Sequence, residues 1–281
     1  MLKREEWLPG VPSWIDTQQP DAAAAAEFYG GLFGWEFDER YAPGQSEPYR
    51  IATLHGLEVG AIARQMGDQG GPAAWNTYVC VADAEETAAR VRDAGGTVIV
   101  DPFPVGPAGR SAVFADPAGA VFLVWQPGAT KGAQLVNDPG TWNFSGLVTG
   151  DVDGAVAFYG AVFGWETSPS GDDGGFFWRR PGYGDHLASI QPGIRERFES
   201  MGAPEGFIDV VAWVRPAGDG AAPGWHVVFG VDDADATAAR AQELGATVVM
   251  EPTDQPWVRS TVLRDPQGAV FTANKFVPPE R

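Results

Sequence analysis

The segment Phe28-Tyr29-Gly30-Gly31-Leu32-Phe33-Gly34-Trp35 returns 130 residues later as Phe158-Tyr159-Gly160-Ala161-Val162-Phe163-Gly164-Trp165 (158 − 28 = 130). Thr87-Ala88-Ala89-Arg90 returns as Thr237-Ala238-Ala239-Arg240, at an offset of 150. Asp116-Pro117-Ala118-Gly119-Ala120-Val121-Phe122 returns as Asp265-Pro266-Gln267-Gly268-Ala269-Val270-Phe271, at an offset of 149. The order holds and only the spacing changes, so the chain is a tandem duplication. The second copy carries about 150 − 130 = 20 extra residues within 166–224, where Gly, Pro and Asp are dense. A chain of 281 residues gives each copy enough length for its own core. The expected domains are 11–127 and 141–277, with a Pro- and Gly-containing linker at 128–140.

Each copy reads the same way. Pro12 to Thr17 is expected to be a strand. Asp21 is suited to cap a helix built on the Ala run that follows, and Gly34 to stop it. Extended runs follow at Tyr49 to Leu54 and Val59 to Ala63. Trp75 to Val81 opens a second unit, with a helix over Asp83 to Ala94 ended by Gly95-Gly96. Thr97 to Val100, Ser111 to Ala115 and Ala120 to Trp125 are then strands, the last two joined by the Asp116-Pro117-Ala118-Gly119 turn. The pattern is strand, helix, three strands, twice per copy. One such unit leaves a sheet face bare, so two must combine into a curved sheet around a cavity. The fold class is α+β.

FYGGLFGW, FYGAVFGW, DPAGAVF and DPQGAVF, in this order and register, resemble the vicinal-oxygen-chelate superfamily of glyoxalases, bleomycin-resistance proteins and extradiol dioxygenases. The match spans about residues 11–127 and 141–277, and the tandem layout resembles actinobacterial two-domain proteins labelled glyoxalase-like or hydroxylase-like. The resemblance implies paired βαβββ units and, in metal-using relatives, a divalent ion held at three positions. Those positions fall on Trp14, Asn76 and Leu123 in the first copy, and on Phe144, His226 and Thr272 in the second. Zinc wants about three protein ligands with an open position, and non-haem iron wants two His and a carboxylate. Only His226 qualifies, and the chain has only 3 His in all, the others being His55 and His186. No metal and no cofactor is therefore expected, which argues against glyoxalase I-type isomerisation and extradiol cleavage.

Strand alternation sets Trp14 and Asp16 on one face with Asn76, Tyr78, Val121, Leu123 and Trp125. An aromatic cavity with a few polar groups suits a small molecule. The expected ligand-binding residues are Trp14, Asn76, Tyr78, Leu123, Trp125, Phe144, Thr272 and Asn274. Metal-free relatives are implied to sequester flat molecules between aromatics. The leading expectation is thus metal-independent binding or sequestration of a small hydrophobic or aromatic metabolite. The alternative is a lyase, isomerase or hydroxylase-like enzyme using Asp16 or His226 as catalytic acid or base. A metal enzyme with unusual ligands, and one copy serving only as a structural partner, remain open.

Several residues have plainer readings beside their functional ones. His226 is also read as a hydrogen-bonded strand histidine near the rim, and Asp16 as a solvated or capping carboxylate. Trp75 and Trp225 either stack a ligand or fill the core. Arg110 and Arg259, each followed by Ser, are read as braces. His186 and Asp185, in a Gly-rich loop, look like a base and its orienter but lack a nucleophile. Gly67 to Gly71 lacks the Lys-Ser/Thr of a phosphate loop. Cys80, the 1 Cys, reads as a small buried hydrophobe and permits no intrachain disulfide.

The 37 acids against 19 bases give a formal charge of −18, which repels phosphate backbones and anionic lipid. The expected partner is a small-molecule ligand, with no nucleic acid and no membrane. MLKREEWLPG has no apolar stretch, so the expected compartment is cytoplasmic.

Overall fold

A computed structural model describes residues 3–41, 46–65, 73–170, 174–218 and 223–278. The first copy contains β1 (Pro12–Gln19), α1 (Ala22–Phe33), β2 (Glu36–Arg40), β3 (Tyr49–Leu54) and β4 (Leu57–Arg64). It continues with β5 (Ala74–Cys80), α2 (Ala84–Asp93), β6 (Thr97–Val105), β7 (Gly109–Ala115) and β8 (Val121–Pro127). The second copy repeats the order with β9 (Trp142–Thr149), α3 (Val152–Phe163), β10 (Glu166–Pro169) and β11 (Phe176–Arg179). There α4 (Tyr183–Ile190) and α5 (Ile194–Ser200) intervene before β12 (Val210–Pro216). Its second unit is β13 (Gly224–Gly230), α6 (Ala234–Glu243), β14 (Thr247–Gln255), β15 (Val258–Arg264) and β16 (Val270–Phe276).

Helix ends fall where the repeat puts capping residues. Asp21 accepts from the Ala23 and Ala24 N–H groups, and Asp151 from Gly154. Gly34 and Gly164 close α1 and α3 at φ 74° and 69°, a left-handed turn that glycine adopts without steric penalty. Strand β2 was not expected from the sequence, because the run Glu36-Phe37-Asp38-Glu39-Arg40 carries one apolar residue. It forms by pairing along β3.

Each copy makes one eight-stranded sheet, in the order β2-β3-β4-β1-β5-β8-β7-β6 and β10-β11-β12-β9-β13-β16-β15-β14. The two βαβββ units of a copy join through the antiparallel pairs β1–β5 and β9–β13. The two sheets meet through the faces that carry the helices, where Thr77 Oγ1 and Ser145 Oγ lie 2.9 Å apart. The hydrophobic cores therefore span both copies. One core holds Phe28, Tyr29 and Phe33 of α1 with Phe229, Phe271 and the Ala face of α6. The other holds Ala84, Ala88 and Val91 of α2 with Phe158, Tyr159 and Phe163 of α3.

The Asp-Pro-x-Gly turn of each copy also serves its neighbour. Asp265 folds its own turn by accepting from the Gln267 and Ala269 N–H groups at 2.9 and 2.8 Å. It also accepts from Tyr29 Oη at 2.9 Å and Gln19 Nε2 at 2.8 Å in the first copy. Asp116 mirrors this, with Tyr159 Oη of the second copy donating at 3.3 Å. Trp75 Nε1 and Trp225 Nε1 donate to Tyr29 Oη and Tyr159 Oη, so both indoles fill these shared cores and do not face a cavity.

Part of the extra length of the second copy forms α4 and α5, whose Tyr183, Leu187 and Ile194 pack into the second core. His186 and Asp185 thus lie in a helix, not a loop. Asp185 pairs with Arg195 at 2.5 Å and His186 stacks on Tyr183, so the two do not form a base and its orienter. Arg110 ties to Glu85, and Arg259 to Asp235, bracing the start of the helix in each second unit. The stretch Gly67 to Gly71 lies outside the described residues. Among the described residues no helix is long and apolar enough to cross a membrane.

Candidate functional site

The concave face of the first sheet gathers the residues that strand alternation brings together. Across β1 and β5, Asp16 stands opposite Asn76 and Trp14 opposite Tyr78. Along β5 and β8, Tyr78 neighbours Leu123 and Cys80 neighbours Trp125. Asp16 is 2% exposed. A buried carboxylate must be hydrogen-bonded to persist, and this one is. Tyr78 Oη donates to Asp16 Oδ2 at 2.6 Å, Tyr49 Oη to the same oxygen at 3.0 Å, and Asn76 Nδ2 to Oδ1 at 2.8 Å. Tyr49 in turn accepts from Trp14 Nε1 at 3.0 Å.

Burial pushes the Asp16 carboxyl up, while the hydrogen bonds from Tyr78, Asn76 and Tyr49 pull it down; the net shift is upward. Burial and the neighbouring Asp16 charge push the Tyr49 and Tyr78 phenols well up, so both remain protonated donors. Tyr49 had no signal in the sequence. It reaches Asp16 only because β4 pairs parallel with β1 and carries β3 beside it.

Asn76, Leu123, Val113 and Val121 line a cleft of about 240 Å³ on this face. The strand paired next to it, β6, carries exposed apolar side chains. Val100 stands opposite Val113 and Phe103 opposite Ser111. Val100, Phe103 and Val121 are 42%, 40% and 43% exposed, which is unusual for three apolar side chains on one concave surface. Trp125, which neighbours Cys80 in the sheet, donates its Nε1 to Thr130 O at 2.9 Å.

The second sheet holds the equivalent positions in the same register but with different chemistry. Gly146 stands opposite His226 and Phe144 opposite Val228, while Thr272 neighbours Val228 and Asn274 neighbours Gly230. The Trp213 indole lies flat on Gly146, where a Cβ would overlap the ring. His226 stacks on the same indole with centroids 6.4 Å apart, and Arg215 caps it at 5.2 Å. Burial pushes the His226 imidazole down, so it is neutral at neutral pH. Among the described residues no hydrogen bond joins His226 to Thr272 or Asn274, and the Asn274 Oδ1 has no partner.

The positions where the superfamily resemblance implies metal ligands, Trp14, Asn76 and Leu123 in the first sheet and Phe144, His226 and Thr272 in the second, carry indole, carboxamide and alkyl groups, and phenyl, imidazole and hydroxyl groups. Among the described residues no three His, Cys, Asp or Glu side chains cluster closely enough to hold an ion. This donor set does not fit a divalent metal. Cys80 is buried and its thiol is pushed up to about 12, which suits a packed hydrophobe and not a nucleophile.

Comparison with known proteins agrees with this architecture. The profile of the family described as "Glyoxalase-like domain" matches residues 14–125 and again 145–274. The chain belongs to that family, with the fold of the vicinal-oxygen-chelate superfamily. It is 39% identical over 281 residues to "Putative glyoxylase CFP32" of Mycobacterium tuberculosis (strain CDC 1551 / Oshkosh), covering 99% of each chain. It is 38% identical to the anthracycline biosynthesis protein DauV of Streptomyces sp. (strain C5), covering 95% of this chain and 93% of that one. Among solved structures, the Mn(II)-bound glyoxalase from Novosphingobium aromaticivorans superposes with a TM-score of 0.63 at 17% identity, covering 95% of this chain and 82% of that one. The 2,3-dioxygenase LapB from Pseudomonas sp. KL28 superposes with a TM-score of 0.61 at 14% identity, covering 98% and 96%. At such identities these structures speak for the fold alone.

Proposed function

We propose that the chain binds a small, flat, largely apolar molecule in the concave face of its first sheet, without a metal ion. The observation that carries this reading is the cleft in which Val113, Val121 and Leu123 meet the Asn76 carboxamide, with the exposed Val100 and Phe103 on the strand paired next to it. Apolar groups left in water on a concave surface gain roughly 25 cal/mol per Å² when a ligand covers them. A few convergent polar groups then fix its orientation. The anthracycline biosynthesis relatives suggest the kind of frame such a cleft would suit, namely fused aromatic rings. The metal-free part of the reading rests on the donor set at the ligand positions.

The test is quenching of tryptophan fluorescence by two- to four-ring fused aromatic compounds. Saturable quenching is expected, and Leu123→Arg, which puts a cation in the cleft, should weaken it at least tenfold. Absence of saturable quenching with every compound, or unchanged binding in Leu123→Arg, would overturn the reading.

One observation favours catalysis as a second reading. The Asp16 carboxyl is raised by burial and connected to two phenols, which suits a group that exchanges protons. Under that reading the bound compounds are converted to new products, and Asp16→Asn stops the conversion while binding survives. Recovery of every compound unchanged would exclude it.

A further inference from the structure

In the second sheet, Phe177, Trp213, Gly146 and His226 stand side by side on β11, β12, β9 and β13, in one row across the strands. Their chain neighbours Trp178, Ala212, Leu147 and Trp225 point into a shared core, so the row faces the concave side. Gly146 makes the row flat: a Cβ there would overlap the Trp213 ring, so glycine lets the indole lie down beside the imidazole. The Trp213 and His226 rings are within 18° of parallel, and the planar Arg215 guanidinium rests against the same indole. Phe177, Trp213 and His226 are each half-buried. Burial alone acts on the His226 imidazole, and among the described residues no hydrogen bond reaches it. A neutral imidazole has one donor and one acceptor nitrogen, both unspent on the described residues.

The extra residues of the second copy shelter this row. They leave the sheet after β11 and return at β12, and Phe207 among them meets Phe177 edge-on at 5.3 Å. Phe198 of α5 packs on Phe207 in turn. The turn after α5 reaches Trp257 in the β14–β15 turn, where a Cβ on Gly202 would lie 3.8 Å from the indole. Between β12 and β15 stand β9, β13 and β16, so the insertion spans the mouth of the sheet. Trp257 holds φ at 71°, a left-handed conformation that is costly for a bulky side chain and recurs at ligand clamps. In the first copy the matching strands β3 and β4 join through His55 and Gly56 alone.

We propose that the second sheet is a separate binding site for a flat aromatic molecule with a hydrogen-bonding atom on its edge, its rings lying along Phe177 and Trp213 and the edge atom bonded to His226. Aromatic faces accept many ring systems, while the imidazole fixes the orientation of the one bound. The site does not depend on the first-sheet cleft.

The test is the number of 2-naphthol molecules bound per full chain in equilibrium dialysis, with naphthalene as the probe that lacks the edge hydroxyl. The native chain should bind two, Leu123→Arg one, and Trp213→Ala one. In the Leu123→Arg chain, adding His226→Phe keeps a ring but removes the hydrogen bond, so naphthol should bind about tenfold more weakly and naphthalene as before. If Trp213→Ala does not fold, His226→Phe decides, and an unchanged naphthol affinity there would overturn the proposal. One molecule per native chain, lost in Leu123→Arg and kept in Trp213→Ala, would overturn the proposal and leave the first-sheet reading standing. One molecule lost in Trp213→Ala and kept in Leu123→Arg would support the proposal and overturn that reading. No binding of either probe would overturn both.

Discussion

Asp16 and Gly146 occupy the same position in the two sheets, each opposite the residue that opens the second unit, Asn76 and His226. Around Asp16 the first sheet has small Ala61 at the neighbouring position, and the space is taken by two tyrosines and a hydrogen-bonded carboxylate. Around Gly146 the neighbour is Trp213, whose indole occupies the place of the carboxylate. The polarity of the flanks is reversed as well, with Leu123 and Trp125 in the first sheet against Thr272 and Asn274 in the second. One duplicated frame thus holds a polar floor with an apolar wall on one side, and an aromatic floor with a polar flank on the other. Strand register is inherited by both copies, while the chemistry displayed on it is free to diverge because side chains on a concave face do little to hold the sheets together.

The shared cores diverge much less, and their locks give the largest expected effect. Asp265 satisfies four donors, two of them from the first copy, whereas the cross-copy bond to Asp116 is longer at 3.3 Å. Asp265→Ala should destabilise the chain by roughly 3–5 kcal/mol, and Asp116→Ala by roughly 1–3 kcal/mol. Chemical denaturation of both variants checks this, and equal losses would show that the two locks are equivalent. Next comes Gly146→Ala, which forces a methyl into the Trp213 ring and should cost roughly 1–3 kcal/mol. Trp213→Ala in the same chain should remove most of that cost; a double-mutant cycle with no coupling would mean the indole does not rest there.

The smallest effect is one of pH and belongs to the first sheet alone. The Asp16 carboxyl is raised in the folded chain above its ordinary 3.8. Its favourable contribution is therefore fully present below that ordinary value and is lost as pH rises through the raised one. Above it, the ionised carboxylate inside the sheet is a cost that Asn does not carry. Asp16→Asn should gain stability relative to the native chain as pH goes from about 3 to 7. Urea unfolding across that range measures it, and a difference independent of pH, or one that shrinks, would contradict the shift.

The spacing of the repeats showed that Trp14, Asn76 and Leu123 answer to Phe144, His226 and Thr272, and the ladders set each at the equivalent place in its own sheet. Tyr49 and Trp213 were invisible as members of the two floors. Tyr49 is separated from Asp16 by 33 residues, and only the order of β3, β4 and β1 brings it back. Trp75 and Trp225 were ambiguous for a related reason. Alternation says that they oppose the face of Asn76 and His226, but not that the opposite face is covered by the other copy.

The sequence by itself determined the duplication, the helix ends and the faces of the strands, because capping and the two-residue period of a strand act between near neighbours. The tertiary structure alone decided that each core is built from both copies and which side chains surround Asp16 and Gly146. Those contacts close over separations as long as the 246 residues between Gln19 and Asp265, a distance at which no local pattern constrains the partner.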